Sequence, residues 1–304
     1  MGVFPIAAGA ELFRAAAIAA AYELGVIDAL PRTLDELCAA IGIASGTHRV
    51  RALVDALVRA EVLARDGAVI LPRKVPPRPD VVREGWGRLA EVIRGDRPLP
   101  LDDDPTAYHH HLVRAGAEAA RELAALVVAP SLLDLGGGAG TYTEAFLDAH
   151  PGAIATLVDA PEIVVLARAH LARFGDRVHY VAGDARAVEV GDGHAIALLA
   201  NVLHLHEANT CAELCAAAAR AVSPGGMVAI VDLREDSLEG VWFALDMALY
   251  TERGDVHRTS AVRGWLADAG LIEIAEQHLA STPEIAVVTG RRPPPVPPRY
   301  PGGA

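Results

Sequence analysis

The sequence predicts an α/β protein in which a small N-terminal helical unit of winged-helix pattern precedes a mostly parallel sheet. Three observations predict it. From Ser131 to about Gly290, short apolar runs alternate with helical stretches, the rhythm of strand–helix–strand crossovers. Directly after the first of those runs, LLDL (132–135), four of five residues are glycine, GGGAG at 136–140. Over residues 1 to about 71 the pattern is instead helix, helix and hairpin.

The N-terminal elements follow in order. AAAIAAA (15–21) lies in a first helix whose small side chains suit close packing, as against a second subunit. TLDELCAAIG (33–42) is a short helix capped by Thr33, with Glu36 three residues on. Val50, Leu53, Val54, Leu57 and Val58 share one face of an amphipathic helix. EVLARDGAVILP (61–72) turns back at Asp66-Gly67 as a hairpin. Modules of this pattern often hold DNA, but over residues 1–75 acidic and basic residues balance at eight each, which leaves little attraction for a duplex. Dimerisation is the better reading of this domain.

Residues 76–128 form a linker region. PPRPD (76–80) and RPLPLDDDP (97–105) interrupt regular structure, and YHHHLVRAGAEAARELAALVV (108–128) is a long helix. His109, His110 and His111 are splayed by about 100° each on such a helix, so the three cannot share one metal site. The proline-rich end, 291–304, reads as an extended tail.

Composition excludes several classes. With 52% hydrophobic and 22% charged residues the chain has the make-up of a folded globular protein, and 304 residues suit two domains. The net charge of −12 argues against a nucleic-acid partner. Lys74 is the single lysine and sits among prolines, so a phosphate-binding GK[ST] loop and a Schiff-base lysine both drop out. No apolar run approaches the roughly 18–20 residues of a membrane helix. MGVFPIAAGAEL lacks the basic start of a secretory signal, and Ile6 stands where a myristoylation motif has Ser or Thr, so a cytoplasmic location is expected. Cys38, Cys211 and Cys215 form no CxxC pair and read as small buried residues in a reducing compartment.

Within residues 129–290 three successive strand ends carry residues suited to a nucleoside. Gly136, Gly138 and Gly140 make GxGxG, but the third glycine of a dinucleotide fingerprint is missing, because position 141 is Thr141. The loop therefore suits a ligand without a pyrophosphate. ATLVDAP (155–161) ends a second strand in Asp159, an acid able to accept from both hydroxyls of a ribose. HYVAGDAR (179–186) ends a third at Gly183-Asp184, where a carboxylate can meet an adenine amino group.

Taken with NVLHLHEANTC (201–211), VSPGGMVAIVDL (222–233), FALDMALYTERGD (243–255) and RGWLADAGL (263–271), these motifs resemble class I S-adenosylmethionine-dependent methyltransferases. More narrowly, the chain resembles small-molecule O-methyltransferases of plant phenolic and bacterial tailoring pathways. The resemblance implies a Rossmann-like domain with a mostly parallel seven-stranded sheet and an N-terminal all-helical winged-helix dimerisation domain. It implies S-adenosylmethionine across Asp134 and Gly136, Gly137, Gly138 and Gly140, its ribose at Asp159 and Ala160, and its adenine beside Asp184 and Ala185. Asn201 would reach its methionine end. A small hydroxylated acceptor and a homodimer follow from the same resemblance.

His204, after the fourth strand, AIALLANVL (195–203), is the candidate general base, and it matches the family's catalytic histidine. The family usually continues Asp-Trp, whereas this chain has Leu205-His206. At the positions of two glutamates that flank the base in plant relatives stand Asp232 and His257, the first able to orient His204 and the second without a fixed negative charge. Trp86, Trp242, Phe243, Met247 and Tyr250 are read either as walls of an aromatic pocket or as core. A non-methylating use of the sulfonium, and a winged-helix ligand-sensing regulator, stay open at this level.

Overall fold

A computed structural model of the chain describes residues 6–79, 81, 85–100 and 105–295, with 6–10, 105–112, 114 and 115 described by backbone alone. His109, His110 and His111 thus lie on a helix, with their side chains outside the described residues, as are residues 296–304 of the tail. In chain order the first elements are α1 (Ile6–Leu24), α2 (Val26–Ala29), β1 (Arg32–Thr33), α3 (Leu34–Ala40), α4 (Thr47–Arg59), β2 (Leu63–Asp66), β3 (Val69–Pro72) and α5 (Leu89–Gly95). There follow α6 (Pro105–Leu126), β4 (Ser131–Leu135), α7 (Thr141–Ala149), β5 (Ile154–Asp159), α8 (Pro161–His170), β6 (Val178–Ala182) and β7 (His194–Ala200). The last are α9 (Ala208–Ala221), β8 (Val222–Leu233), α10 (Leu238–Tyr250), α11 (Thr259–Asp268), β9 (Ile272–His278) and β10 (Ile285–Arg291).

These elements pack as two compact units. One comprises Met1–His111, Asn201–Ala208 and Asp232–Arg258, the other Leu112–Ala200, Asn209–Val231 and Thr259–Ala304. In the first, Thr33 caps α3 in a reciprocal box: its Oγ1 accepts from Glu36 N at 3.4 Å, and its own N donates to the Glu36 carboxylate at 2.9 Å. The hairpin forms as the turn residues require, Asp66 pairing with Val69 around a left-handed Gly67 (φ 57°). β1 adds a short third strand beside β3. On α4 the side chains of Val50, Leu53, Val54 and Leu57 are fully buried, each worth roughly 1.5–3 kcal/mol of removal from water.

Two expectations change here. The alanine-rich stretch of α1 is not held for a second subunit: Ala16 to Ala21 are only 0–3% exposed within the single chain. Their small side chains let α4, α5 and α10 approach α1 closely. The boundary read at about residue 75 also misses α10, which packs with the N-terminal unit because Leu245, Ala248 and Leu249 join its core.

In the second unit the sheet runs β6-β5-β4-β7-β8-β10-β9. β6, β5, β4, β7 and β8 are parallel, while β9 and β10 are antiparallel to each other. Asp134 stands opposite Leu157 on one side and Leu198 on the other, and Asp159 opposite Ala182, so the carboxyl ends of β4, β5, β6 and β7 share one edge. In open α/β sheets that edge is where ligands bind. Among the described residues no helix is long and apolar enough to cross a membrane.

Candidate active site

The glycine loop leaves β4 over the end of β5. Gly136, Gly138 and Gly140 have φ of 73°, 57° and 94°, the left-handed region that other residues enter only with strain. At two positions the barred side chain would strike the protein itself. A Cβ on Gly137 would sit 2.8 Å from Leu157 and 2.9 Å from Asp134, and one on Gly140 would sit 2.5 Å from Leu171. Part of the glycine density therefore serves packing beneath the loop, not a ligand above it.

The loop's donors point inward as well. Gly136 N and Gly137 N both donate to Val158 O, at 2.8 and 3.2 Å, and Gly140 N donates to Gly137 O at 2.9 Å. Gly138 N donates to Asp159 Oδ2 at 2.7 Å. A phosphate-binding loop turns such N–H groups toward its anion. Here they are already taken and two carboxylates, Asp134 and Asp159, lie beneath, so the cradle suits a neutral or cationic ligand such as a sulfonium nucleoside.

The Asp159 side chain is held by two backbone donors. Its Oδ1 accepts from Ala160 N at 2.7 Å and its Oδ2 from Gly138 N. An ionised carboxylate has about four acceptor positions, so one remains on each oxygen. Gly183 N donates to Asp159 O at 2.9 Å and ties the end of β6, with Asp184 and Ala185, to the end of β5.

Asp134 lies under this loop, 1% exposed, and accepts from Thr143 Oγ1 at 2.7 Å. Its part is to support the loop, since no surface is left for direct contact with a cofactor. Burial pushes its carboxyl up to about 6, against the Thr143 hydrogen bond and with the help of the nearby Asp159 charge. Asp184 also departs from expectation. Both its oxygens hold Arg186, which lies 2.6 Å from Oδ2 and continues to Glu213 at 3.1 Å. An adenine amino group reaches this exposed carboxylate only by sharing it with a guanidinium.

The chain leaves β7 through Asn201, exposed and left-handed (φ 57°), a conformation asparagine tolerates. It then enters a 3-10 turn, Leu203–Leu205, that carries His204. His204 is 6% exposed and its Nδ1 lies 2.7 Å from Asp232 Oδ1. Nδ1–H donates to the carboxylate and Nε2 is left as the proton acceptor. Asp232 Oδ2 accepts from the His204 backbone N at 3.2 Å, so one side chain fixes both the ring and the turn. The shorter acid at the flanking position does reach the histidine. Nε2 of His257 lies 3.2 Å from Leu203 O and 2.9 Å from His206 O, a brace on the backbone of the turn.

The aromatic candidates divide. Trp242 and Met247 are core residues, 3% and 5% exposed. Phe243 presents its ring edge-on to His204 at 4.8 Å, and Trp86 stacks on Phe13 at 4.3 Å. Asp246, which the sequence reading passed over, accepts from Trp86 Nε1 at 3.1 Å. Burial pushes its carboxyl up to about 6, although the Trp86 hydrogen bond and the charge of His204 pull the other way. The available signal was a single acid inside the apolar stretch FALDMALY (243–250).

Residues 109–271 match a family described as an O-methyltransferase domain. The chain is 29% identical over 227 residues to the 3-hydroxy-5-methyl-1-naphthoate 3-O-methyltransferase of Streptomyces sahachiroi, a match that spans 68% of this chain and 66% of that enzyme. It is 25% identical over 319 residues to the tetracenomycin polyketide synthesis 8-O-methyl transferase of Streptomyces glaucescens, across 91% and 93% of the two chains. An O-methyltransferase family 2 protein from Planctomyces limnophilus DSM 3776, solved with apigenin, shares the fold at a TM-score of 0.71 over 93% of each chain, with 22% identity. With more than half of its residues matched to that one family, the chain belongs to the S-adenosylmethionine-dependent O-methyltransferases.

Proposed function

We propose that this protein methylates a hydroxyl of a small aromatic or polyketide-like molecule, with His204 as the general base. The observation that carries this reading is the 2.7 Å contact between His204 Nδ1 and Asp232 Oδ1. It leaves Nε2 ready to accept a proton and sets a carboxylate against the positive charge the ring then acquires. S-adenosylmethionine supplies, when bound, a methyl group on a sulfonium that a hydroxyl oxygen can displace. The residues that would hold it are the glycine loop from Gly136 to Gly140 and Asp159, with Ala160 and Ala185 beside the nucleoside.

An aromatic acceptor is supported by the relatives, one named for a hydroxynaphthoate and the other for tetracenomycin polyketide synthesis. Phe243, edge-on to the base, suits such a ring. A homodimer in the cytoplasm is part of the same reading. It is supported by the charge balance of the N-terminal residues and by three buried cysteines, none in a disulfide.

The test is product analysis with the full chain, S-adenosylmethionine and 2-naphthol or 3-hydroxy-2-naphthoate. The account expects S-adenosylhomocysteine and a methyl ether in equal amounts. An acceptor altered without S-adenosylhomocysteine would contradict it and point to a non-methylating reaction.

A further inference from the structure

Whichever acceptor is used, the proton it loses leaves His204 as a buried imidazolium. An isolated buried cation is costly, and in the plant relatives that the sequence resembles two acids flank the base. One is present as Asp232. The second position holds His257, whose Nε2 faces the carbonyl oxygens of Leu203 and His206.

A carboxylate comes instead from α10. Phe243 touches the His204 ring edge-on at 4.8 Å. On a helix a residue three further along is turned only about 60° from it, so Asp246 follows Phe243 on the same face. The indole of Trp86 holds Asp246 Oδ1 at 3.1 Å and fixes the side chain. Its second oxygen has no hydrogen-bond partner among the described residues. α10 packs on the 3-10 turn that carries His204, so the Asp246 carboxylate lies on the helix face turned to that histidine.

We infer that Asp246 is a positioning residue for the base, the second carboxylate that stabilises the His204 imidazolium from the side of α10. This rests on the reading of His204 as base and names the group that stands in for the missing flanking acid. The titratable groups packed about this turn include Asp232 from β8, Asp246 from α10, His257 on the turn's backbone and Asp255, whose N donates to His204 O at 3.0 Å. Asp246 is faced in addition by Trp86 and, one turn on, by Tyr250.

The test is an imidazole NMR titration of the full-length protein, with the His204 signal identified by its loss in His204→Asn. Asp246→Asn keeps an oxygen for the Trp86 indole and removes only the charge. The His204 midpoint should then fall, as expected for losing a neighbouring opposite charge. Trp86→Phe, which keeps the carboxylate, should not lower it. The reciprocal measurement, carboxyl 13C titration of Asp246 in His204→Asn, should show a higher midpoint than in the parent chain, and it does not depend on the Asp246 variant folding. An unchanged His204 midpoint in folded Asp246→Asn, or an unchanged Asp246 midpoint in His204→Asn, would overturn the assignment. Neither cosubstrate nor acceptor is needed, so this failure is distinct from failure of the methyl-transfer reading, which shows as absent S-adenosylmethionine binding.

Discussion

Replacing His204 by asparagine removes the nitrogen that takes the proton yet keeps an amide able to donate to Asp232. General-base catalysis contributes about 10²- to 10⁴-fold, so kcat should fall by that factor. Calorimetric affinity for S-adenosylmethionine should hold, and an undiminished kcat would contradict the role. Asp134 makes a different prediction. Its carboxyl is raised from 3.8 to about 6 in the folded chain, so the fold binds that proton more tightly than the unfolded chain does. Its contribution to stability is present below the unfolded value, and it is lost as pH rises through about 6. Above that point the ionised group costs on the order of 3 kcal/mol. Asp134→Asn can still accept from Thr143, so it should be more stable than the parent in urea at pH 8, with the difference gone at pH 4. The positions of Asp159 at a strand end and His204 just beyond one were legible because the apolar runs before them mark the strands. Asp246 was not, because an acid within an apolar helix gives no sign of its partner from across the chain.

Arg49 ties two elements of the first unit together. It lies on α4, fully buried, and donates to the carbonyl oxygens of Ala248, Thr251 and Glu252 at the end of α10, with Nε on Asp96 at 3.2 Å. The last carbonyls of a helix have no partner within it, and a guanidinium reaches several at once. Arg49→Met leaves Asp96 unpaired and should cost about 3–5 kcal/mol, read as a lower midpoint in urea. Arg49→Lys, a single point charge, should recover only part of the loss. An arginine on an amphipathic helix reads from sequence as a solvated charge, so neither this link nor the placing of α10 was legible. Local signals fared better. The Thr33 cap and the Asp66-Gly67 hairpin depend on neighbours within a few residues and formed as read. The packing role of the glycine loop was not legible, because Leu157 and Leu171, which bar side chains at 137 and 140, come from other elements.

For the whole molecule, the alternation of apolar runs and helices after Ser131 was sufficient to give a mostly parallel sheet, since crossovers leave few other arrangements. The strand order, with β4 between β5 and β7, is set by pairing that no local pattern encodes. The proposed dimer is likewise encoded in no local pattern. The stretch at 15–21 is covered within one chain, so a partner must use other surface, and light scattering should give twice the chain mass in solution. A monomer at all concentrations would end that part of the account. We propose, more narrowly, that the loop after β4 and Asp159 hold the nucleoside of S-adenosylmethionine. It is tested most directly by titration calorimetry of S-adenosylmethionine into the parent chain and Asp159→Ala. One site per chain is expected in the parent, with affinity at least about 10-fold weaker in the variant, as for loss of hydrogen bonds to a charged group. No binding by the parent, or equal binding by both, would contradict it.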